Sequence, residues 1–356
     1  MPVDVEHAAA GHDRRTPWSA RRTIVLCSVV GVLLILALIA AVGALQRDIY
    51  SPRGLVTGYL DALSSQNAEA ALSVPGVNVS ATRLAAEGLA AHPSRELLRD
   101  DLIRQPGNIS IRSDVALPGG DHRVLVDFTL GSQSEHAQFT LKQTGAIFGI
   151  LPNWRFAVSP LAVVSVTVLH GDSFSVAGHT FNTRAADPGQ APSFDSHADY
   201  LVFAPGQYRL GLASTLLGAN PVTATVTDGG EIAKASVDVQ PTRAFNSRVF
   251  TQLGKLLDTC THQHVLQPTG CPFGVEIDNR IEGVPTWTMV DYPAVNLAAG
   301  TQGWWMPSTT GVAHVRVTIQ SLLDGTVSKR STDESFTVSL SKVVILPDGS
   351  PMITLG

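Results

Sequence analysis

NISIRSDVAL (Asn108 to Leu117), HRVLVDFTL (His122 to Leu130) and HAQFTLKQ (His136 to Gln143) follow one another with only short breaks. In each run the apolar residues fall on every second position, the period of a half-buried strand. Pro118-Gly119-Gly120 and Gly131-Ser132 punctuate them as turns, which predicts an antiparallel meander. Trp154, Phe156 and Val158 alternate in NWRFAVSP and read as its closing strand. Immediately upstream the period is that of a helix. Pro52 can open one, and Leu55, Val56, Tyr59, Leu60 and Leu63 recur on one face of RGLVTGYLDALSSQ. Asn67 caps a second short helix, AEAAL. A third helical patch runs through TRLAAEGLAAH to Pro93, and Ser94 in SRELL reads as a further start. Helices followed by a curved meander predict an α+β cone over residues 52–160.

Upstream again, TIVLCSVVGVLLILALIAAVGALQ (Thr23 to Gln46) carries no charge between Arg22 and Arg47. The 22 residues from Ile24 to Leu45 would span roughly 33 Å as a helix, matching a hydrocarbon core of about 30 Å. Residues 23–46 are therefore expected to cross the lipid bilayer. Arg14, Arg15, Arg21 and Arg22 precede the run, so the N-terminus is expected in the cytoplasm and the C-terminus outside. The rival reading is a cleaved secretory signal, with Ala41, Gly43 and Ala44 as small residues for a peptidase. Such signals have apolar runs of about 7–15 residues, shorter than this one. Residues 1–22 lack hydrophobic periodicity and read as a disordered cytoplasmic tail.

Downstream, helices are expected to vanish between residues 161 and 241. LAVVSVTVL, SFSVAGHTF, ADYLVF, GQYRLGLAS, VTATVTDG and AKASVDVQP are short strands separated by Gly171, Pro205-Gly206 and Asp228-Gly229-Gly230. They read as a small all-β sandwich. Residues 242–356 return to the first plan. A helical stripe of Phe250, Leu253, Leu256 and Leu257 ends near Cys260, and strands follow after Cys271, with hairpin turns at Asp324-Gly325 and Asp348-Gly349.

The opening YLDALSSQNAEAAL and the closing NWRFAVSPL resemble the NTF2-like superfamily, as found in anchored actinobacterial proteins. YLVFAPGQYRLGL resembles the hairpin of extracytoplasmic Ig-like modules. The resemblance implies two NTF2-like α+β cones flanking an Ig-like sandwich, behind one transmembrane helix. This layout is similar to that of the teicoplanin-resistance-associated membrane protein family, without that family's cytoplasmic zinc ribbon. NTF2-like cones host enzymes, binders and structural modules alike.

Outside the first 22 residues there are 27 acidic and 21 basic side chains, a mild acidity that argues against a nucleic-acid partner. Cys260 and Cys271 are the two cysteines beyond the apolar run and read as one disulfide in an oxidising compartment. With His262 and His264 they could instead surround zinc, although C-x-H-x-H-x6-C is not a common zinc spacing. Asp195, His197 and Asp199 alternate and could share one face, but no fourth ligand is visible, so no metal is expected. GxSxG, HExxH, Walker and GxGxxG patterns are absent. GDSFS at Gly171 lacks the second glycine of a nucleophile elbow, leaving Ser173 a turn residue. His92, His122 and His136 have no partner identifiable from spacing. No catalysis and no cofactor are therefore expected. Trp304 and Trp305, near Trp287, are adjacent, so in a strand they point to opposite faces and at most one lies in the core. The other marks an interaction surface for a glycan or peptide. The expected function is a membrane-anchored, non-catalytic binding or scaffold protein of the bacterial envelope, its partner an envelope protein or wall polymer. The alternative is a small-molecule receptor or a pocket enzyme.

Overall fold

The computed structural model describes residues 18–48, 50–90, 92–147 and 151–356. The fold is α+β, mostly strand, and it opens with one long helix. This is α1 (Trp18–Asp48). Its segment Ile24–Ala41 is long and apolar enough to cross a membrane, and none of the described residues buries it. Ser28 returns its hydroxyl to the Ile24 carbonyl at 2.9 Å, so the run presents little unsatisfied polarity. The helix starts within the expected tail, because Ala20, Arg21 and Arg22 are good helix formers and nothing there breaks it. Residues 1–17 of that tail lie outside the described residues.

The first module comprises α2 (Pro52–Ser64), α3 (Ala68–Ser73), α4 (Ala81–Ala86), β1 (Gly107–Ala116), β2 (His122–Leu130), β3 (Gln133–Ile147) and β4 (Leu151–Phe156). Ser51 and Asn67 cap the first two helices, their side-chain oxygens accepting from Gly54 N at 3.0 Å and Ala70 N at 2.8 Å. The four strands form an antiparallel meander in sequence order. Its inner face, including Val124, Val126, Phe128, Phe139 and Trp154, is buried against Val56, Tyr59, Leu60 and Leu63. Three expectations need correction. The helical patch stops at Ala86, because Gly88 takes φ +85° just past the cap. Ser94 starts no helix: its N–H donates to Asp199 O and its carbonyl accepts from Leu201 N, both at 2.8 Å, so it covers an open strand edge. Val158 lies beyond the end of β4 and is exposed.

The middle unit contains β5 (Leu161–Leu169), β6 (Ser173–Val176), β7 (His179–Asn182), a one-turn helix α5 (Thr183–Ala186), β8 (Ser196–Phe203), β9 (Gly206–Ala213), β10 (Leu217–Val226), β11 (Ile232–Asp238) and β12 (Gln240–Pro241). They make two sheets, ordered β11-β5-β8 and β12-β10-β9-β6-β7, with a shared core that includes Val164, Phe174, Tyr200 and Tyr208. β11 lies parallel to β5. YLVFAPGQYRLGL is therefore no hairpin: β8 and β9 belong to different sheets, and the chain crosses between them at Pro205-Gly206. Gly206 is needed at this corner, because a Cβ there would stand 2.9 Å from the Tyr208 hydroxyl, which donates back to Phe203 O at 2.9 Å.

β5 and β8 also explain how this unit joins the first module. Residues 161–164 and 200–203 are buried without alternation, the mark of a strand covered on both faces. Ala162, Val164, Tyr200 and Val202 face the sandwich core, whereas Leu161, Val163, Leu201 and Phe203 belong to the core of the first module. The Tyr59 hydroxyl donates to Ala204 O at 2.8 Å, with Pro160 O at 3.1 Å. A Cβ at Gly229 would come within 2.1 Å of Ser159 O, so only glycine fits where the β10–β11 turn meets the junction.

Burial pushes the Tyr59 phenol well above its ordinary value near 10, helped by the neighbouring Tyr208, which burial raises likewise. Unfolded phenols ionise near pH 10 while these two stay protonated, so above that pH the folded state holds more protons and stability falls as pH rises. Urea midpoints measured from pH 8 to 12 are expected to drop above about pH 10, less steeply in Tyr59→Phe. An unchanged slope in that variant would contradict the assignment.

The last module comprises α6 (Arg243–Thr261), β13 (Arg280–Asp291), β14 (Ala298–Ala299), β15 (Trp304–Gln320), β16 (Val327–Ile345) and β17 (Pro351–Leu355). The sheet runs β13-β15-β16-β17, with β14 paired to β15. The buried stripe of α6 is Phe245, Val249, Leu253, Leu257 and Cys260. It is rotated from the expected stripe, leaving Phe250 exposed beside Tyr292 at a ring distance of 6.2 Å. This module shares one continuous core with the sandwich.

Candidate interaction surface

The interiors of both α+β modules are packed with apolar side chains, so the polar groups that could meet a partner lie outside them. Alternation along β15 separates the adjacent tryptophans. Trp304 is 4% exposed and Trp305 is 40% exposed. Trp304 packs edge-on against Phe194 at 5.2 Å and tilts against His170 at 5.9 Å, which ties the last module to the sandwich. Trp287 is buried, its indole N–H donating to Val265 O at 2.8 Å.

Trp305 is held in place although exposed. Its indole N–H donates to Ala299 O at 3.3 Å, and a Cβ on Gly300 would stand 3.2 Å from the ring's Cδ1. The glycine lets the 300–303 turn lie against the indole. A groove of about 360 Å³ opens beside it, lined by Thr301, Gln302, Ser341 and Lys342 as well as both tryptophans. The other side of the turn bounds a second groove of about 330 Å³, between Trp304, Phe194, Arg184 and Val343 at the seam with the sandwich. The register of β16 skips between Leu340 and Lys342, and that of β15 between Trp304 and Met306. Such bulges re-aim side chains, and here successive residues Ser341 and Lys342 are both exposed.

Cys260 and Cys271 are bonded to each other. His262 and His264 face the Asp258 and Pro285 carbonyls at 2.7 and 3.2 Å, so the four residues do not converge on one point. Asp195 accepts from His170 N at 2.8 Å, away from His197, which lies 3.5 Å from Asp199. Ser173 opens β6 and is held by Asp172 and Asn182.

Spacing alone missed a set of histidine–aspartate pairs: His122–Asp114, His170–Asp238, His179–Asp101 and His314–Asp333. Each joins residues from different strands or segments, so only the tertiary fold could have revealed them. His314 is the most suggestive chemically, because its other nitrogen lies 2.8 Å from Ser331 Oγ. A nucleophile, base and orienting carboxylate share that order. Asp333 is 59% exposed on an open sheet face, however, and no wall excludes water there.

Comparison with protein families, with curated proteins and with solved structures gave no match.

Proposed function

We infer that the chain is a bacterial single-pass membrane protein, and that its exterior modules bind or scaffold other envelope components without catalysis. Residues 23–46 cross the bilayer with the arginine-rich end in the cytoplasm, and residues 52–356 stand outside as two NTF2-like cones flanking an Ig-like sandwich. The helix pair on a four-stranded meander, and the apolar perimeter of α1, support that reading. A layout shared with the teicoplanin-resistance-associated family in actinobacteria belongs to the same proposal.

The observation that carries the functional reading is the contrast between filled interiors and an exposed, hydrogen-bonded Trp305. A receptor or enzyme needs a cavity with a few convergent polar groups, whereas the cones here are packed with side chains such as Phe128 and Met306. The test is cross-linking in living cells of the full-length, tagged protein, followed by mass spectrometry. A defined envelope component recovered with the wild-type protein and lost with Trp305→Ala is the expected result. A co-purifying small molecule with no envelope partner would overturn it.

A further inference from the structure

We propose that the groove between Trp305 and Lys342 is a subsite for a carboxylate-bearing pyranose, one unit of an acidic polysaccharide. This rests on reading the last module as an envelope-binding surface. The indole is pre-positioned: its N–H is engaged by Ala299 O, and Gly300 supports the ring, so little freedom is lost when something stacks on it. The face of an aromatic ring carries the negative end of its quadrupole, which suits the weakly positive C–H face of a sugar ring. Around it stand the hydroxyl of Thr301 and the amide of Gln302, neutral donors and acceptors of the kind that sugar hydroxyls pair with, and Ser341, whose hydroxyl donates to Leu355 O at 3.1 Å and offers its oxygen as an acceptor.

Charge decides the class of sugar. Among the described residues Lys342 is the one charged residue lining the groove, and no carboxylate faces it there. A lone ammonium complements a single carboxylate. Phosphate recognition ordinarily gathers several cationic groups or a guanidinium fork, and the described lining of this groove offers a single ammonium. The two register skips bring Lys342 and Ser341 to the surface together beside the indole, so stacking and charge are delivered to the same small ligand. A volume of about 360 Å³ lies at the lower end of the range for small-ligand sites, roughly 300–1,000 Å³.

The experiment titrates the full-length protein, in nanodiscs of neutral lipid, with trigalacturonate, maltotriose and triglutamate by calorimetry. Trigalacturonate is expected to bind about tenfold more tightly than maltotriose. Trp305→Ala should weaken both sugars by about tenfold, while Trp305→Phe keeps most of the affinity. Lys342→Gln should reduce trigalacturonate to the level of maltotriose and leave maltotriose unchanged. Both side chains are exposed, and matching thermal melts establish that the variants fold. Absence of sugar binding by the wild-type protein overturns the assignment. So does triglutamate binding as tightly as trigalacturonate with no effect of Trp305→Ala, since that is ion attraction alone. If sugars fail to bind but Trp305-dependent cross-linking still recovers an envelope protein, the glycan assignment falls and the scaffold reading stands. Sugar binding without any captured partner removes the scaffold reading only.

Discussion

Phe203→Ala is expected to lower the unfolding free energy by about 3–5 kcal/mol, the range for removing a fully buried aromatic side chain. Its effect should not stop at the sandwich. Phe203 is 1% exposed and lies in the core of the first module, although it belongs to a sandwich strand. Its neighbours Val202 and Ala204 face the other way, into the core shared by the sandwich and the last module. Removing the ring opens a cavity in the core of the first module and loosens the strand that both cores use. Hydrogen exchange on the full-length protein in nanodiscs should therefore accelerate in β2 and β9 together. Faster exchange in β9 with unchanged protection in β2 would show that the modules fold independently and that the seam is only a contact.

Loss of the Cys260–Cys271 bond is the second large effect. The bond closes a loop with a sequence separation of 11, for which a loop-entropy treatment gives about 3 kcal/mol. Cys260 is also 3% exposed at the end of the buried stripe of α6. The closed loop carries Leu266, which packs on the core that contains Phe273, and Phe273 is tilted against Trp287 and Phe336 at 5.0 and 5.3 Å. Mild reduction, or the double variant Cys260→Ser and Cys271→Ser, is expected to lower the melting temperature by roughly 6–12 °C. Exchange protection should be lost first in α6 and β13. Two free thiols titrating in the native, metal-free protein in addition to that of Cys27 would rule the bond out.

Local elements were largely legible because they are set by short-range rules. Asn67 caps a helix through a bond three residues away, and the tryptophan pair separates by strand alternation. Legibility fails where a residue's partner comes from elsewhere. Ser94 looks like a helix start, but the open edge of β8 outcompetes a short helix for its backbone groups. Pro205-Gly206 looks like a hairpin because turn residues mark a change of direction without saying which sheet receives the next strand. The α6 stripe was misplaced by a fraction of a turn, since Phe250 and Leu256 are as apolar as the residues that are buried. The Trp305 groove was half legible. Two adjacent tryptophans announce an exposed ring, but Lys342 and Ser341 join it only through bulges in a strand more than 30 residues away.

Sequence alone therefore determined the long apolar helix, the order of helical and strand segments, and the cysteine pair available for a disulfide. Each depends on composition or on spacing within a few residues. Tertiary structure decided that the parts outside α1 are joined through shared cores. It also decided which tryptophan face meets a lysine. Those outcomes depend on strands buried on two faces and on register across a sheet, and both are set by contacts between residues far apart in the chain.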